Sequence, residues 1–207
     1  MKLSECLANL DNNVLTVSGS TAIQVAAVTS DSRKVVSADI FVAIKGHKLN
    51  GESFIPKAIE NGCKVIVSES TKDWGVTSVQ VKNSYKALAQ LAEYICGMPA
   101  KKMDLIGVTG TNGKSSIAMI ISWLLRKSGV KTGLVGTIEV SYGDKVITSS
   151  MTTPDAVSVQ NLFKDMAEQD TSAVVLEVSS HALSQSRVGT VPFQTAIFTN
   201  LTQDHLD

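Results

Sequence analysis

The sequence predicts an α/β fold, in which a small N-terminal α/β domain precedes a doubly wound, mostly parallel sheet. Two patterns carry this prediction. Short apolar runs alternate with helix-periodic segments along most of the 207 residues. A glycine-rich stretch at 107–116 also lies between an apolar run and an apolar-periodic segment, which is the order of a strand, a phosphate-binding loop and a helix. We therefore expect parallel strands whose carboxyl ends carry the functional residues.

The first domain is predicted to span residues 1–84 and to consist of short strands with one or two helices. A continuous apolar run such as 40–44 is typical of a buried strand, and β-branched residues favour the other strands. The apolar residues of 53–61 share one helical face. The predicted strands are 14–17, 24–28, 40–44, 65–67 and 76–81, and the predicted helix is 53–61.

The second domain is predicted to span residues 85–207 and to alternate strands with helices. It opens with a helix at 85–96, whose apolar residues share one face and which Gly97 and Pro99 end. Further helices are predicted at 115–128 and 156–169. The predicted strands are 104–109, 132–135, 173–176 and 195–198, with a β-hairpin formed by 138–142 and 145–149.

Charge and cysteine content argue against several kinds of partner. The chain has 19 Lys and Arg against 19 Asp and Glu, so it offers no net positive charge to nucleic acid or an anionic membrane. Its three cysteines form no CxxC pair, which favours reduced thiols over a disulfide framework or a zinc site. The sequence shows neither a signal peptide nor an apolar run of roughly 18 residues. We expect a cytoplasmic protein that binds no nucleic acid and enters no membrane. The sequence does not determine the oligomeric state, for which we expect a monomer.

Phosphate binding is the chemistry that the stretch 107–116 predicts. Glycines let backbone N–H groups turn toward an anion, and the N-terminus of the following helix adds partial positive charge. Lys114 can reach the outer phosphates, and the hydroxyl of Ser115 can ligate Mg²⁺. The generic GxxxxGK[ST] spacing expects glycine in place of Val108, so a glycine-rich turn with a chance Lys-Ser pair is the alternative. The predicted nucleotide-binding residues are Gly110, Thr111, Asn112, Gly113, Lys114, Ser115 and Ser116.

Polar residues also follow two buried strands at the same predicted edge of the sheet. Glu177 comes directly after the strand at 173–176, where phosphate-loop enzymes commonly place an acid that holds Mg²⁺. A capping acid is the alternative for this residue. His205 follows the strand at 195–198, and a neutral imidazole can ligate a metal or contact a phosphoryl group. A structural histidine is the alternative there, and we predict that both residues are functional.

Four motifs of the second domain, taken in chain order, resemble those of the Mur ligases, and most closely those of the MurE type. The pattern Gly-x-x-Gly-Thr-Asn-Gly-Lys-(Thr/Ser) is the phosphate loop of that family and accounts for Val108. The first domain is similar through Asp31-Ser32-Arg33 and the segment 39–46, a pattern that MurF-type ligases share. The remaining motifs are Thr152-Thr153-Pro154-Asp155, Glu177-Val178-Ser179-Ser180-His181-Ala182-Leu183 and Asn200-Leu201-Thr202-Gln203-Asp204-His205-Leu206-Asp207.

The resemblance implies an ATP-dependent amide ligase of peptidoglycan precursor synthesis. ATP would phosphorylate the D-glutamate carboxylate of UDP-MurNAc-L-Ala-D-Glu, and the amine of a diamino acid would then displace the phosphate. Lys114, Glu177 and His205 would be catalytic, and Ser115 would join Glu177 and His205 in holding Mg²⁺. The first domain would bind UDP and the second ATP. The residues implied in substrate binding are Ser30, Ser32, His47, Lys48, Thr152, Thr153, Ser179, Gln185 and Arg187.

The resemblance also implies that more chain is needed for the reaction. In the family the central domain continues past the last motif, and a third domain carries the pocket for the incoming amino acid. We therefore expect these 207 residues to form an incomplete ligase that makes no amide bond alone. The choice between meso-diaminopimelate and lysine stays open. So do three other hypotheses: another ligase of the superfamily such as a MurF-like enzyme, a nucleotide- or UDP-sugar-binding module, and a generic phosphate-loop NTPase.

Overall fold

The computed structural model describes residues 1–36, 39–46 and 50–202. The chain divides into two compact units, Met1–Gly97 and Met98–Asp207. The sequence placed the division near residue 84, at the start of a helix. That helix packs on the sheet of the first unit, and the division therefore lies after it.

The first unit is a five-stranded sheet, as far as the structure describes it, with helices around it. Its strands have the order β1-β5-β4-β3-β2; β2 to β5 are parallel, and β1 is antiparallel to β5. The helices are α1 (Leu3–Leu7), α2 (Ile55–Glu60) and α3 (Ser84–Ile95). The strands are β1 (Val14–Ser18), β2 (Ala27–Thr29), β3 (Asp39–Val42), β4 (Val65–Ser68) and β5 (Thr77–Val81).

Two predictions for this unit need correction. The predicted strand 24–28 is β2, which begins only at Ala27, because Gln24 and Val25 pair instead with the N-terminal residues Lys2 and Met1. The predicted helix 53–61 opens as a 3-10 turn at Gly51–Phe54 and becomes α-helical at Ile55. A proline in the first turn of α2 suits that start, because its missing N–H has no helical partner there.

The second unit holds the predicted doubly wound sheet, with strand order β11-β6-β10-β7-β8-β9. The first four in this order are parallel, and β8 and β9 form the predicted antiparallel hairpin. The strands are β6 (Asp104–Thr109), β7 (Thr132–Val135), β8 (Glu139–Tyr142), β9 (Lys145–Thr148), β10 (Ala173–Glu177) and β11 (Thr195–Phe198). The helices are α4 (Lys114–Lys127), α5 (Ala156–Glu168) and α6 (Ser180–Ser184), with a 3-10 turn at Pro99–Lys102.

Helices cover both faces of this sheet, which confirms the predicted fold class. Val175 packs on the α4 side with Ala118, whereas Val174 packs on the α5 side with Phe163. Successive residues of a strand point to opposite faces, so the two clusters lie on opposite sides of β10. The short helix α6 was not predicted, because five residues are too few to show helical periodicity. Within the ranges that the structure describes, no helix is long and apolar enough to span a membrane.

Candidate active site

The carboxyl ends of three neighbouring strands meet at one place in the second unit. The glycine-rich loop follows β6, Glu177 ends β10, and Gly136 and Thr137 follow β7. Since β10 lies between β6 and β7 in the sheet, Glu177 faces a loop on either side. This is the crevice in which open α/β sheets bind ligands.

The glycine-rich loop has a shape that requires two of its glycines. Gly110 has φ +130° and Gly113 has φ +83°, a region that L side chains rarely adopt. A Cβ on Gly110 would also overlap the hydroxyl of Thr199 and lie 2.8 Å from the carbonyl oxygen of Asn200. Gly113 is the N-cap of α4 and supplies no capping side chain, so the first-turn N–H groups can donate to an anion.

Lys114 folds back over the loop that precedes it. Its Nζ donates to the carbonyl oxygens of Gly110, at 2.8 Å, and Thr111, at 2.9 Å. The ammonium group is therefore held at the mouth of the loop, next to the N-terminus of α4. Two positive features, the ammonium and the helix N-terminus, converge where a phosphate would bind.

The segment after β11 fastens the loop from the other side. The side-chain amide of Asn200 donates to the carbonyl of Asn112 at 3.0 Å and accepts from its N–H at 3.1 Å. The Thr199 hydroxyl donates to that same carbonyl at 2.7 Å. The N–H of Thr111 donates to the carbonyl of Asn200 at 3.0 Å. We call residues 199–202 the strap, because they hold the loop through both main-chain and side-chain bonds.

Glu177 is a buried residue, 2% exposed, whose carboxylate accepts hydrogen bonds from the segments that follow β6 and β7. Oε2 accepts from the hydroxyls of Ser115 at 2.9 Å and Thr137 at 3.0 Å, and Oε1 accepts from the N–H of Thr137 at 3.0 Å. Gly136 leaves the space for it, because a Cβ there would overlap Oε1 and lie 3.0 Å from Cδ.

The donor set around Glu177 suits Mg²⁺. A carboxylate and a hydroxyl, Glu177 and Ser115, stand in hydrogen-bond contact at the phosphate loop. Mg²⁺ prefers oxygen ligands and is commonly held by one or two carboxylates together with phosphates and water. Among the residues that the structure describes, no group of three or more His, Cys, Asp and Glu side chains could hold a metal. The third predicted ligand, His205, lies outside the described residues.

Five of the predicted substrate-binding residues cluster beside Glu177. The Thr153 hydroxyl donates to the main-chain carbonyl of Glu177 at 2.8 Å and accepts from the N–H of Ser179 at 3.0 Å. Arg187 donates to the carbonyl of Thr153 at 2.7 Å, and Gln185 accepts from two guanidinium nitrogens at 2.7 and 3.0 Å. The Thr152 hydroxyl lies 3.1 Å from that of Thr137. A guanidinium held this way by neighbours is preorganised to bind a carboxylate or a phosphate.

The remaining candidates belong to the first unit. Ser32 is 7% exposed, and its carbonyl accepts from the Asn61 side chain at 2.8 Å. Ser30 is exposed in the turn after β2. The structure brings these two residues to one turn. His47 and Lys48 lie outside the described residues.

This turn also contains an ion pair whose strength can be measured. Two hydrogen bonds from the Arg33 guanidinium, with one from the Arg33 N–H, lower the pKa of Asp31 from 3.8 to about 2. Because the pKa of Asp31 is lower in the folded protein, the ionised carboxyl stabilises the fold at pH values above its ordinary pKa. That contribution is lost as the pH falls from about 4 to 2. We expect Arg33→Ala to raise the pKa of Asp31 but not to its full ordinary value, since the backbone bond remains. NMR titration of the Asp31 carboxyl measures this, and Lys34→Ala is the control, expected to shift it little. An unchanged pKa in Arg33→Ala would contradict the assignment.

Comparison with family models identifies both units. A model described as "Mur ligase middle domain" matches residues 108–207, and one described as "Mur ligase family, catalytic domain" matches residues 24–97. This chain carries Mur ligase domains. The candidate site lies in the second of them, and the turn with Ser30 and Ser32 lies in the first.

Two proteins similar to this chain have the same name. The chain is 45% identical, over all of its length, to a UDP-N-acetylmuramoyl-L-alanyl-D-glutamate--2,6-diaminopimelate ligase from Clostridium tetani, and covers 43% of that protein. It is 44% identical over 89% of its length to a ligase of the same name from Bacillus cereus, covering 38% of it. The chain therefore spans less than half the length of these relatives.

Solved structures show the same fold. A structure named as a UDP-N-acetylmuramoyl-L-alanyl-D-glutamate--2,6-diaminopimelate ligase has a TM-score of 0.80 and 26% identity, matching all of this chain and 42% of the solved one. A MurF ligase from Thermotoga maritima, solved in complex with ADP, has a TM-score of 0.57 and 23% identity, over 89% of this chain and 39% of its own. The latter likeness concerns the fold alone.

Four residues of the candidate site make contacts that the sequence analysis did not predict. Gly136 and Thr137 lie against Glu177, and Thr199 and Asn200 belong to the strap. The position of Gly136 and Thr137 directly after a parallel strand was a usable signal, because such positions line the crevice. The strap carries the same signal, because it directly follows the parallel strand β11, but its hydrogen bonds to the loop depend on the pairing of β11 with β6.

Proposed function

We propose that this chain is the N-terminal and middle part of a MurE-type ligase. The whole enzyme would use ATP to join a diamino acid to UDP-MurNAc-L-Ala-D-Glu through an acyl phosphate. One observation carries the proposal: Glu177 is hydrogen-bonded both to the phosphate loop and to a predicted substrate-binding residue. Its carboxylate accepts from the Ser115 hydroxyl, and its main-chain carbonyl accepts from the Thr153 hydroxyl. Glu177 thus connects the proposed nucleotide-binding residues with the proposed acceptor-binding residues.

The chemistry explains why these residues belong together. An acceptor carboxylate that attacks the γ-phosphate brings two anions into contact, so fixed positive charge must stand nearby. Lys114 and the N-terminus of α4 supply it at the mouth of the loop. Arg187, fixed by Gln185, would orient the carboxylate-bearing substrate. Mg²⁺, held by Ser115, Glu177 and in the whole enzyme by His205, would neutralise further phosphate charge.

The two units have separate roles in this proposal. The first would bind the UDP end of the substrate through Ser30, Ser32, His47 and Lys48, and the second would bind ATP. Because the chain spans 43% of the Clostridium tetani relative, we propose that amide formation needs the rest of that length. The reaction would take place in the cytoplasm.

Titration calorimetry tests the nucleotide site. We expect the chain to bind ATP with Mg²⁺, and Lys114→Ala to weaken that binding by about 10- to 100-fold, as expected for loss of a charged hydrogen-bond donor. Lys127→Ala is the matched control, because Lys127 lies at the other end of the same helix, where its Nζ is 5.8 Å from the centroid of the Trp123 ring. Equal affinity in wild type and Lys114→Ala would contradict the phosphate-loop assignment.

The acceptor side has its own test. UDP-MurNAc-L-Ala-D-Glu should bind the chain without nucleotide, and Arg187→Ala should weaken it. Phosphate release from ATP that needs no UDP-linked peptide would favour a generic NTPase instead.

A further inference from the structure

Thr137 stands between the nucleotide side and the acceptor side of the site. Its N–H and hydroxyl contact both oxygens of the Glu177 carboxylate, each at 3.0 Å. Its hydroxyl also lies 3.1 Å from the hydroxyl of Thr152, which opens the Thr152-Thr153 segment. Thr137 thus contacts the proposed metal carboxylate and the proposed acceptor-binding segment at once.

The direction of these hydrogen bonds follows from the groups involved. An ionised carboxylate only accepts, so the single hydroxyl proton of Thr137 goes to Glu177. The Thr137 oxygen must then accept, and Thr152 donates to it. The order of donation is Thr152 to Thr137 to Glu177. The Thr152 oxygen is left with lone pairs only, and its free side can accept from an N–H or O–H of a substrate.

The backbone around Thr137 is positioned by the pairing of β7 with β10. β7 pairs with β10 up to Val135 and Leu176, which sets the two strand ends side by side. Gly136, the next residue, is buried and has no room for a Cβ against Glu177. The main chain therefore passes directly over the carboxylate, and the Thr137 N–H is aimed at Oε1 by the strand pairing rather than by a flexible side chain.

We propose that Thr137 is a positioning residue: it holds the Glu177 carboxylate for a divalent cation and fixes the hydroxyl of Thr152 as an acceptor. This role rests on the proposed function for the cation and the substrate, but its core, the orientation of Glu177 by Thr137, does not. Ser115 alone could not fix the carboxylate, because it contacts only Oε2.

The first experiment needs no ligand. In a chain labelled with ¹³C-glutamate, the Glu177 carboxyl resonance is assigned by its disappearance in Glu177→Gln. Thr137→Val keeps the shape and the N–H but removes the hydroxyl, and we expect it to shift that resonance. Thr137→Ser keeps the hydroxyl and should leave it near the wild-type position. Thr148→Val, at an exposed threonine of β9, is the control and should not move it. An unmoved resonance in Thr137→Val would overturn the proposal even if the ligase assignment holds.

The second experiment measures cation dependence. ADP binding is followed at increasing Mn²⁺, and the Mn²⁺ concentration for half-maximal enhancement is compared between variants. Thr137→Val should raise it about tenfold, with recovery in Thr137→Ser, while the affinity for ADP without metal stays unchanged. A parallel loss of metal-free and metal-dependent affinity, without recovery in Thr137→Ser, would indicate a merely structural role and overturn the proposal. Absence of ADP binding by the wild type would instead count against the proposed function, and the resonance test decides on Thr137.

Discussion

Replacing Gly110 by alanine is expected to destabilise the second unit by about 3 kcal/mol or more and to abolish nucleotide binding. Two costs add. A φ of +130° is strained for any residue with a Cβ, and the new methyl would overlap Thr199 and crowd the carbonyl of Asn200. The strap would have to move away, and the loop would lose the bonds that shape it. Chemical denaturation followed by circular dichroism measures the first effect, and calorimetry with ATP and Mg²⁺ the second.

Gly129→Ala separates strain from overlap. Gly129 has φ +84° at the end of α4, and nothing lies within 4 Å of a Cβ built there. This variant should lose about 1 kcal/mol of stability, from backbone strain alone, and keep its nucleotide affinity. If Gly110→Ala cost no more than Gly129→Ala, the strap would not be holding the loop.

Gly136→Ala is expected to impair the site more than the fold. Its methyl would collide with the Glu177 carboxylate, which is buried and held by Ser115 and Thr137. Displacing the carboxylate breaks at least one charge-assisted hydrogen bond, worth about 1.5–3 kcal/mol. We expect the Mn²⁺ requirement for ADP binding to rise by an order of magnitude or more, measured by calorimetry at varied Mn²⁺.

A glycine on the same strand provides the control. A Cβ on Gly133, in β7, would lie 2.9 Å from the sulfur of Met166, the end of a flexible side chain in the core. Gly133→Ala should therefore lower stability while leaving the Mn²⁺ requirement near that of wild type. Equal Mn²⁺ requirements in Gly136→Ala and Gly133→Ala would show that the fold, and not the carboxylate, causes the loss.

Periodicity sufficed for most of the second unit. Strands β6, β7, β10 and β11 have their predicted bounds to within one residue, because parallel strands are short apolar runs with sharp polar ends. The prediction that the strand at 195–198 is buried was wrong, because β11 lies at the edge of the sheet and most of its residues are exposed. The first unit was harder. Residues 24–25 were predicted to belong to the strand 24–28, but their partners are Lys2 and Met1, a pairing that no local pattern predicts.

The site likewise contains residues that local sequence patterns predict and residues that depend on contacts distant in the sequence. Lys114, Ser115 and Glu177 could be predicted because each occupies a position that strand–loop–helix geometry makes functional. Thr152 and Arg187 came only from the family resemblance, and the structure brings them beside Glu177 through Thr137 and Thr153. Gly136 and Asn200 act through contacts across the sheet, which depend on strand order rather than on neighbouring residues in the sequence.

The strap gives the phosphate loop a late place in the order of assembly. The bonds that close the loop join Asn112 to Asn200 and Thr111 to Thr202, residues separated by 88 and 91 positions. Contacts of such high sequence separation form only when a long stretch of chain is closed into a loop, which costs conformational entropy. During synthesis, α4 and the glycine-rich segment are made well before the strap. A competent phosphate loop is thus a product of tertiary folding, although its motif is contained in ten consecutive residues.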